Sequence, residues 1–392
     1  MINRTIFFTN KVFNDSIKFT IRSLASKEYC KENIANLIVP DDEIVLKATS
    51  DWLLMATEVR KQQGVAAQYS FFWKWGESYR ETTGYIIPTF LRLRQHYKNQ
   101  KYFEIALSNG LWLLKNFSDD GGVIEAHGKT YIFNTGQVLH GLVSLYEKTN
   151  DKKFIIGILK ASYFIVDRQD KDGAFRQDTY QKIEHDYNVR TAWALLRSAN
   201  VLDDNKLIKA AIKNIEYVIE KSSDSSYPFN ANTKRGKLPH THGIGYTFRG
   251  ILEAGIFLNN YDFLDWVKVG AQRLQKRFEL ESRLACYINE KWENASYYDC
   301  ITGNCQIAII WLKLAKLYGD YSLLNSAIKM ISICKSHVPL KAIDKNVIGG
   351  VPGAFPIYGF YAPFSYPNWA TKFLIDALIE KNKIMNKMLK TK

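Results

Sequence analysis

From about residue 41 onward, apolar residues recur at three- and four-residue spacing in one segment after another, which predicts helices rather than strands. Two kinds of break separate these segments. One kind is short and polar: KNQK at 98–101, KTNDKK at 148–153, LDDNK at 202–206, NNYD at 259–262 and YGDY at 318–321. Breaks of this kind join antiparallel neighbours. The other kind is longer and mixes Gly or Pro with aromatic and β-branched residues, at 63–75, 118–133, 170–182, 225–237, 282–298 and 348–364. Each of these follows one helix and precedes the next. The chain thus reads as about twelve helices in six pairs, with a repeat of roughly 50–65 residues. A helix at about 41–62 would pair across a seam with the last one, at about 368–386.

The helices fall into two sets. KFIIGILKASYFIVD, NKLIKAAIKNIEYVIEK, DFLDWVKVGAQRLQKRF and SLLNSAIKMISICK are amphipathic and rich in lysine, as suits an outer ring with one wet face. YIIPTFLRL, VLHGLVSLY, VRTAWALLRSA, IGYTFRGILEAGIFL, CQIAIIWLKLAKLY and WATKFLIDALI are apolar nearly all round, as suits an inner ring packed on both sides. The expected fold is all-α, an (α/α)6 toroid of six helical hairpins, with short β-like segments in the long loops at one face. Residues 41–392 would form this single domain, preceded by an N-terminal extension at 1–40.

Each inner helix begins with a recognisable junction: ETTGY (81–85), NTGQ (134–137), HDYNVR (185–190), HTHGIGY (240–246), ITGNCQ (301–306) and YPNWA (366–370). With Thr83, Thr135, Tyr187, His242, Thr302 and Asn368 as anchors, successive separations are 52, 52, 55, 60 and 66 residues. Threonine at a helix start caps free N–H groups. Glycine there admits a ligand or another backbone at close range. In an alternating ring the inner helices all run the same way, so their six N-termini share one mouth. Glu81, Tyr85, Asn134, Gln137, His185, Asp186, Tyr187, Arg190, His240, His242, Tyr246, Arg249, Asp299, Asn304, Gln306, Asn368 and Trp369 gather there. The six positive dipole ends favour an anionic ligand.

Composition narrows the chemistry. Hydrophobic residues make up 46% of the 392, enough for a large core, and aromatics 14%, with rings that fill cores and also stack on sugars. The net charge of +14 favours an acidic partner, but the lysines are scattered along helix faces and never form a run of five, which argues against nucleic acid. Five cysteines (Cys30, Cys286, Cys300, Cys305, Cys334) without regular spacing argue against a disulfide framework and for a reducing compartment. The first 24 residues lack the apolar core and cleavage site of a signal peptide, and no apolar run reaches membrane-spanning length. The expectation is a cytoplasmic protein with no transmembrane segment.

Three chemistries belong to rings of this kind. His240-x-His242 suggests metal, but no regular third ligand accompanies it, so no metal and no other cofactor is expected. Terpene cyclisation needs an Asp-rich acid motif, and SDDGG and DKDGA do not match one. Sugar chemistry fits best, by either of two mechanisms. Proton abstraction beside a carboxylate (epimerase or lyase) would use His185, His240, His242, Tyr187, Tyr246 and Tyr298 to move protons, and Arg190, Arg249, Asn304 and Gln306 to hold the anion. Asn134, Gln137, Asn368 and Trp369 would bind substrate alongside. Glycoside hydrolysis would use paired carboxylates, from Glu81, Asp186 and Asp299, with Glu125 in an adjacent loop. A glycan-binding protein without turnover is the third possibility. His240 and His242 need not have equal roles, since either can serve as a helix cap.

The segments YRETTGYIIPTF, FNTGQVLHGL, HDYNVRTAWALL, HTHGIGYTFRGILEAG, CITGNCQIAIIWLKL and GGVPGAFPIYGFYAPFSYPNWATKFLIDAL resemble a family of proteins of about this length encoded in bacterial capsule, O-antigen and exopolysaccharide clusters. The resemblance spans residues 64–380. It implies a terpenoid-cyclase-like or epimerase-like toroid engaged in making or tailoring a surface polysaccharide, and it carries over no catalytic residue set. At the level of fold the chain is also similar to N-acylglucosamine 2-epimerases and uronyl-acting toroids. The expected partner is an anionic oligosaccharide or polysaccharide, with uronyl-type proton abstraction as the leading reaction.

Overall fold

The computed structural model describes residues 39–222 and 225–390, so the extension expected at 1–40 lies almost wholly outside the described residues. Twelve α-helices are found among the described residues. Six form the inner set: α2 (Arg80–Tyr97), α4 (Ile132–Thr149), α6 (Val189–Leu202), α8 (Thr241–Leu258), α10 (Ile301–Tyr318) and α12 (Asn368–Lys390). Six form the outer set: α1 (Asp42–Glu58), α3 (Lys101–Leu114), α5 (Lys153–Val166), α7 (Asn205–Ser222), α9 (Tyr261–Glu281) and α11 (Tyr321–Ser336). Each inner helix packs on the next, and α12 packs back on α2, so the ring closes as an (α/α)6 toroid. The first helix, α1, packs on α12 across the seam.

The two sets differ in burial as their sequences differ in polarity. In α7, Leu207, Ala210, Ala211, Asn214, Ile215 and Val218 are buried at helical spacing, while Lys206, Lys209, Lys213 and Glu216 are exposed. In α4 every residue from Ile132 to Leu145 is buried. The short polar breaks stop the inner helices by one device. Lys98, Asn150, Asp203, Asn259 and Gly319 each take the left-handed conformation just past the helix, which ends the hydrogen-bond ladder. Asn260 and Asp320 then cap the outer helices that follow.

The long loops carry all the strands found among the described residues. β1 (Gln68–Ser70) pairs antiparallel with β2 (Lys74–Trp75) and, across the seam, with β5 (Ser365–Pro367). β3 (Asp299–Cys300) pairs with β4 (Ala354–Phe355). Three loops are tied to inner helices in the same way: the backbone N–H groups of Val65, Val123 and Val351 donate to the hydroxyls of Thr83, Thr135 and Thr371 at 3.0–3.1 Å. Thr83 and Thr135 therefore act as structural anchors. Two of the junction glycines serve the contact between neighbouring inner helices. A Cβ on Gly84 would meet the Val138 backbone at 2.5 Å, and one on Gly303 would meet the His242 nitrogen at 2.5 Å.

Candidate active site

The inner-helix N-termini surround a cleft of about 340 Å³ at one mouth of the ring. Its floor is aromatic. Tyr246 lies 5.0 Å from Phe133, 5.9 Å from Phe373 and 6.4 Å from Tyr85, centroid to centroid, and Phe133 lies 4.8 Å from Tyr187. Four of the six inner helices thus meet in one cluster. An aromatic surface of this kind matches the apolar face of a sugar ring.

One wall is acidic. Glu81, in the first turn of α2, is only 7% exposed and is the one carboxylate on the cleft lining among the described residues. Burial pushes its pKa up to about 8; Glu125 adds to the shift, while a hydrogen bond from Tyr79 and the more distant Arg190 oppose it. Tyr79 Oη donates to Glu81 at 2.6 Å and contacts Tyr180 Oη at 3.1 Å; Tyr180 donates to Asn134 Oδ1, and the Asn134 amide donates to Glu125 at 2.8 Å. Burial raises the Glu125 pKa as well, against its bond from Asn134. Two carboxyl groups are thereby joined through two phenols and an amide, in a setting that disfavours negative charge on either.

The facing wall carries imidazoles. His240 precedes α8, and its Nδ1 accepts the N–H of Gly243 at 2.7 Å, so it is the helix cap. Burial drops its pKa to about 4. His242 is also buried, and burial, then His240, Arg190 and Lys372, hold its pKa well below the usual value. Gln306 Nε2 donates to His242 Nδ1 at 2.7 Å, which leaves the ring proton on Nε2. The ring packs edge-on against Tyr246 at 4.2 Å. Tyr361 and Trp369 complete this wall, with the Trp369 indole N–H donating to Tyr361 Oη at 3.0 Å. Lys234 is the one lining cation, and no ion pair ties it among the described residues.

The structure separates the residues expected at the mouth into three groups. Glu81, Tyr85, Tyr187, His240, His242, Tyr246 and Trp369 line the cleft. Asn134, Gln137 and Gln306 stand behind it: they hold the Tyr180 hydroxyl, the Arg190 guanidinium and the His242 ring. Arg190 lies under the floor, its guanidinium 5.1 Å from the Tyr246 centroid, and burial lowers its pKa to about 10. The others do not line the cleft. Asp299 is bound by Arg283 at 2.5 and 2.9 Å, Tyr298 packs on Tyr287 and Phe360, and Arg249 is paired with Glu253 at 2.6 Å. Asn304 donates to the Leu284 carbonyl, and Asn368 bridges the seam to Ala66 and Thr82. His185 has both ring nitrogens 2.8 Å from backbone carbonyls, of Asn232 and Tyr180, and stacks on Tyr187, so it positions the loop and the ring beside it. Asp186 accepts the Asn230 N–H at 2.8 Å, and burial raises its pKa to about 7.

Tyr79, Phe133, Tyr180, Lys234, Tyr287 and Tyr361 line the cleft without having been singled out from sequence. Apart from Phe133, they come from the long loops, whose aromatic content was the available signal. Among the described residues no group of three or more His, Cys, Asp or Glu side chains is placed to hold a metal ion, and the four described cysteines are free and buried. No described helix is long and apolar enough to cross a membrane.

Solved structures that share this ring include carbohydrate-active enzymes. An unsaturated glucuronyl hydrolase specific for heparin superposes on 88% of this chain and 99% of its own, with a TM-score of 0.69 at 14% identity. The unsaturated glucuronyl hydrolase of Bacillus sp. GL1, responsible for degradation of glycosaminoglycan, covers 86% of this chain and 96% of its own, with a TM-score of 0.66 at 13% identity. An α-amylase from Clostridium perfringens covers 88% and 99%, with a TM-score of 0.63 at 12% identity. At these identities the likeness is one of fold. No protein-family model matches the chain, and no curated protein does.

Proposed function

We propose that this chain is a glycoside hydrolase acting on an anionic oligosaccharide derived from, or destined for, a bacterial surface polysaccharide, with residues 41–392 as its catalytic ring. The observation that carries this reading is Glu81: a carboxyl whose pKa burial raises to about 8, on the wall of a cleft with an aromatic floor. A carboxylic acid that keeps its proton near neutral pH is what protonation of a glycosidic oxygen requires. Glu81 gives its proton to the leaving oxygen as the bond to the anomeric carbon breaks. Its carboxylate then takes a proton from the water that adds to that carbon, which returns Glu81 to its starting form. Tyr79 orients the carboxyl, and Glu125 helps keep it protonated. His242 Nε2–H, Lys234 and the ring of helix N-termini supply positive character for an acidic sugar.

The names of the fold neighbours favour hydrolysis of uronyl sugars over epimerisation. So does the state of the bases. His240 Nδ1 is taken by Gly243 and His242 Nδ1 by Gln306, while Arg190 and Arg249 do not reach the cleft lining. The test is release of reducing ends from acidic bacterial oligosaccharides, in ordinary and in heavy water. Release by the wild type and none by Glu81→Gln is expected. Solvent deuterium on a sugar carbon of an intact chain would instead establish proton abstraction, and a bound glycan with no chemical change would leave a binding protein.

A further inference from the structure

Below the aromatic floor, the axis of the ring contains a second and smaller cavity, of about 50 Å³. Tyr85 borders both spaces, whereas Arg190 borders only the lower one. Charged side chains of four inner helices face it: Arg92 of α2, Arg190 and Arg197 of α6, Arg249 of α8, and Lys372 and Asp376 of α12. Five are cations and one is a carboxylate.

The carboxylates in reach are already engaged. Asp376 pairs with Lys372 at 2.6 Å and with Arg92 at 3.1 Å. Glu253 is shared by Arg249 at 2.6 Å and Lys313 at 2.8 Å, and Glu147 pairs with Arg197 at 2.8 Å. Six cations therefore stand against three carboxylates, and Arg190 has none. It is 4% exposed. Its Nε donates to the neutral Gln137 side chain at 2.7 Å, and no partner among the described residues meets its two terminal nitrogens. Four aromatic faces surround its guanidinium at 5.1–5.9 Å. Also on the lining, His140 contacts the Arg190 carbonyl through Nε2 at 3.1 Å, while its buried Nδ1 has no partner.

A buried charge is stable only when paired or hydrogen-bonded. Lysine can shed its proton, and burial has already drawn Lys372 down to about 7. Arginine has no such recourse at physiological pH. We propose that the axial cavity is a binding site for one small monovalent anion, of halide size, which supplies the counter-charge that Arg190 lacks. Water alone would leave that charge unpaired. A cavity of about 50 Å³ holds such an ion with a water or two, and it is far below the size of a sugar-binding pocket. Arg92, Arg197 and Arg249 lie further from the mouth along their helices and keep part of their surface exposed, which gives an ion a route from the far end of the ring. The bound anion would hold the guanidinium against Tyr85 and Tyr246 and so fix the floor of the cleft from below. This inference does not depend on the reaction assigned to the cleft.

The experiment uses the full-length protein in sodium gluconate, whose anion is too large for the cavity, titrated with sodium bromide at constant ionic strength. Bromide should raise the unfolding temperature along a saturating curve, by about a few degrees at full occupancy. Arg190→Gln should abolish the saturating rise, and the surface control Lys237→Gln should retain it. Crystals soaked in bromide should show an anomalous peak within hydrogen-bond reach of the Arg190 guanidinium. That measurement on the wild type decides the matter if Arg190→Gln does not fold. An unfolding temperature that does not respond to bromide, a saturating rise that persists in Arg190→Gln, or soaked crystals with no peak on the axis would overturn the proposal.

Discussion

The two walls of the cleft hold opposite kinds of ionisable group and are treated alike by burial. On the α2 side, burial raises the carboxyl pKa of Glu81 to about 8; on the α8 side, burial lowers the His240 imidazole to about 4 and His242 well below its usual value. Low polarity disfavours charge of either sign, so it leaves protons on the acids and takes them from the bases. Between these limits both walls are neutral. The acid wall then has a proton to give, and the imidazole wall has N–H groups and ring edges but no proton to release. On the proposed hydrolytic reading, this difference gives proton donation to Glu81 and substrate recognition to the histidines.

Removing the donor should break this asymmetry most severely. Glu81→Gln is expected to lower turnover by about 10²–10⁴-fold, read as release of reducing ends. The same substitution should raise the unfolding temperature at pH 8 relative to pH 5. The folded-state pKa of Glu81 lies above its unfolded value, so this group's contribution to stability is present below pH 4–5 and is lost as pH rises towards about 8. Glutamine does not ionise, and a melting series across pH will show whether that loss disappears.

Asp299 lies outside both walls and serves as the contrast. Arg283→Met leaves its buried carboxylate without a partner and should destabilise the protein by about 2–3 kcal/mol in chemical denaturation. Asp299→Asn should change turnover by less than a few-fold. A large loss of turnover without loss of stability would restore Asp299 to the site. On the imidazole wall, His242→Ala should weaken substrate binding by about tenfold, seen mainly as a rise in KM, because it removes a contact rather than the proton donor.

The smallest effect is a movement of the alkaline limb of the pH–rate profile, expected near 8 if Glu81 is the proton donor. Glu125 raises the Glu81 pKa, so Glu125→Gln should shift that limb to lower pH. The Tyr79 hydrogen bond lowers it, so Tyr79→Phe should shift the limb to higher pH. Shifts of the same sign in the two variants would mean that another group controls the limb.

The fold was legible because it repeats. Apolar residues at three- and four-residue spacing mark the helices, and the short breaks carry residues such as Asn150, Asn259 and Gly319 that tolerate the left-handed turn at each inner-helix end. The mouth was legible from the junctions, but the direction of each side chain was not. Successive residues in a helical turn point about 100° apart, so His242 and Trp369 enter the cleft while Asn304 and Asn368 turn into the packing. Most of the unforeseen lining residues are carried by loops that fold back over the ring. Tyr180 and Tyr361 lie five residues before His185 and seven before Asn368, where no helical period fixes their direction. The ties from Val65, Val123 and Val351 were written in the chain as Gly-Val pairs ahead of a threonine, yet only the folded loops give that spacing a meaning.

The seam between α12 and α2 has a consequence for how the ring comes to exist. Asn368 bonds to Ala66 and Thr82, and β1 pairs with β5, joining segments separated by about 300 positions. Closing a loop of that length delays the contacts that reward it. On a ribosome, α1 and the strand after it emerge long before β5 and α12, and must wait for them before their joint can form. The Glu81 end of the cleft, although built from early sequence, would therefore be the part of the mouth completed last.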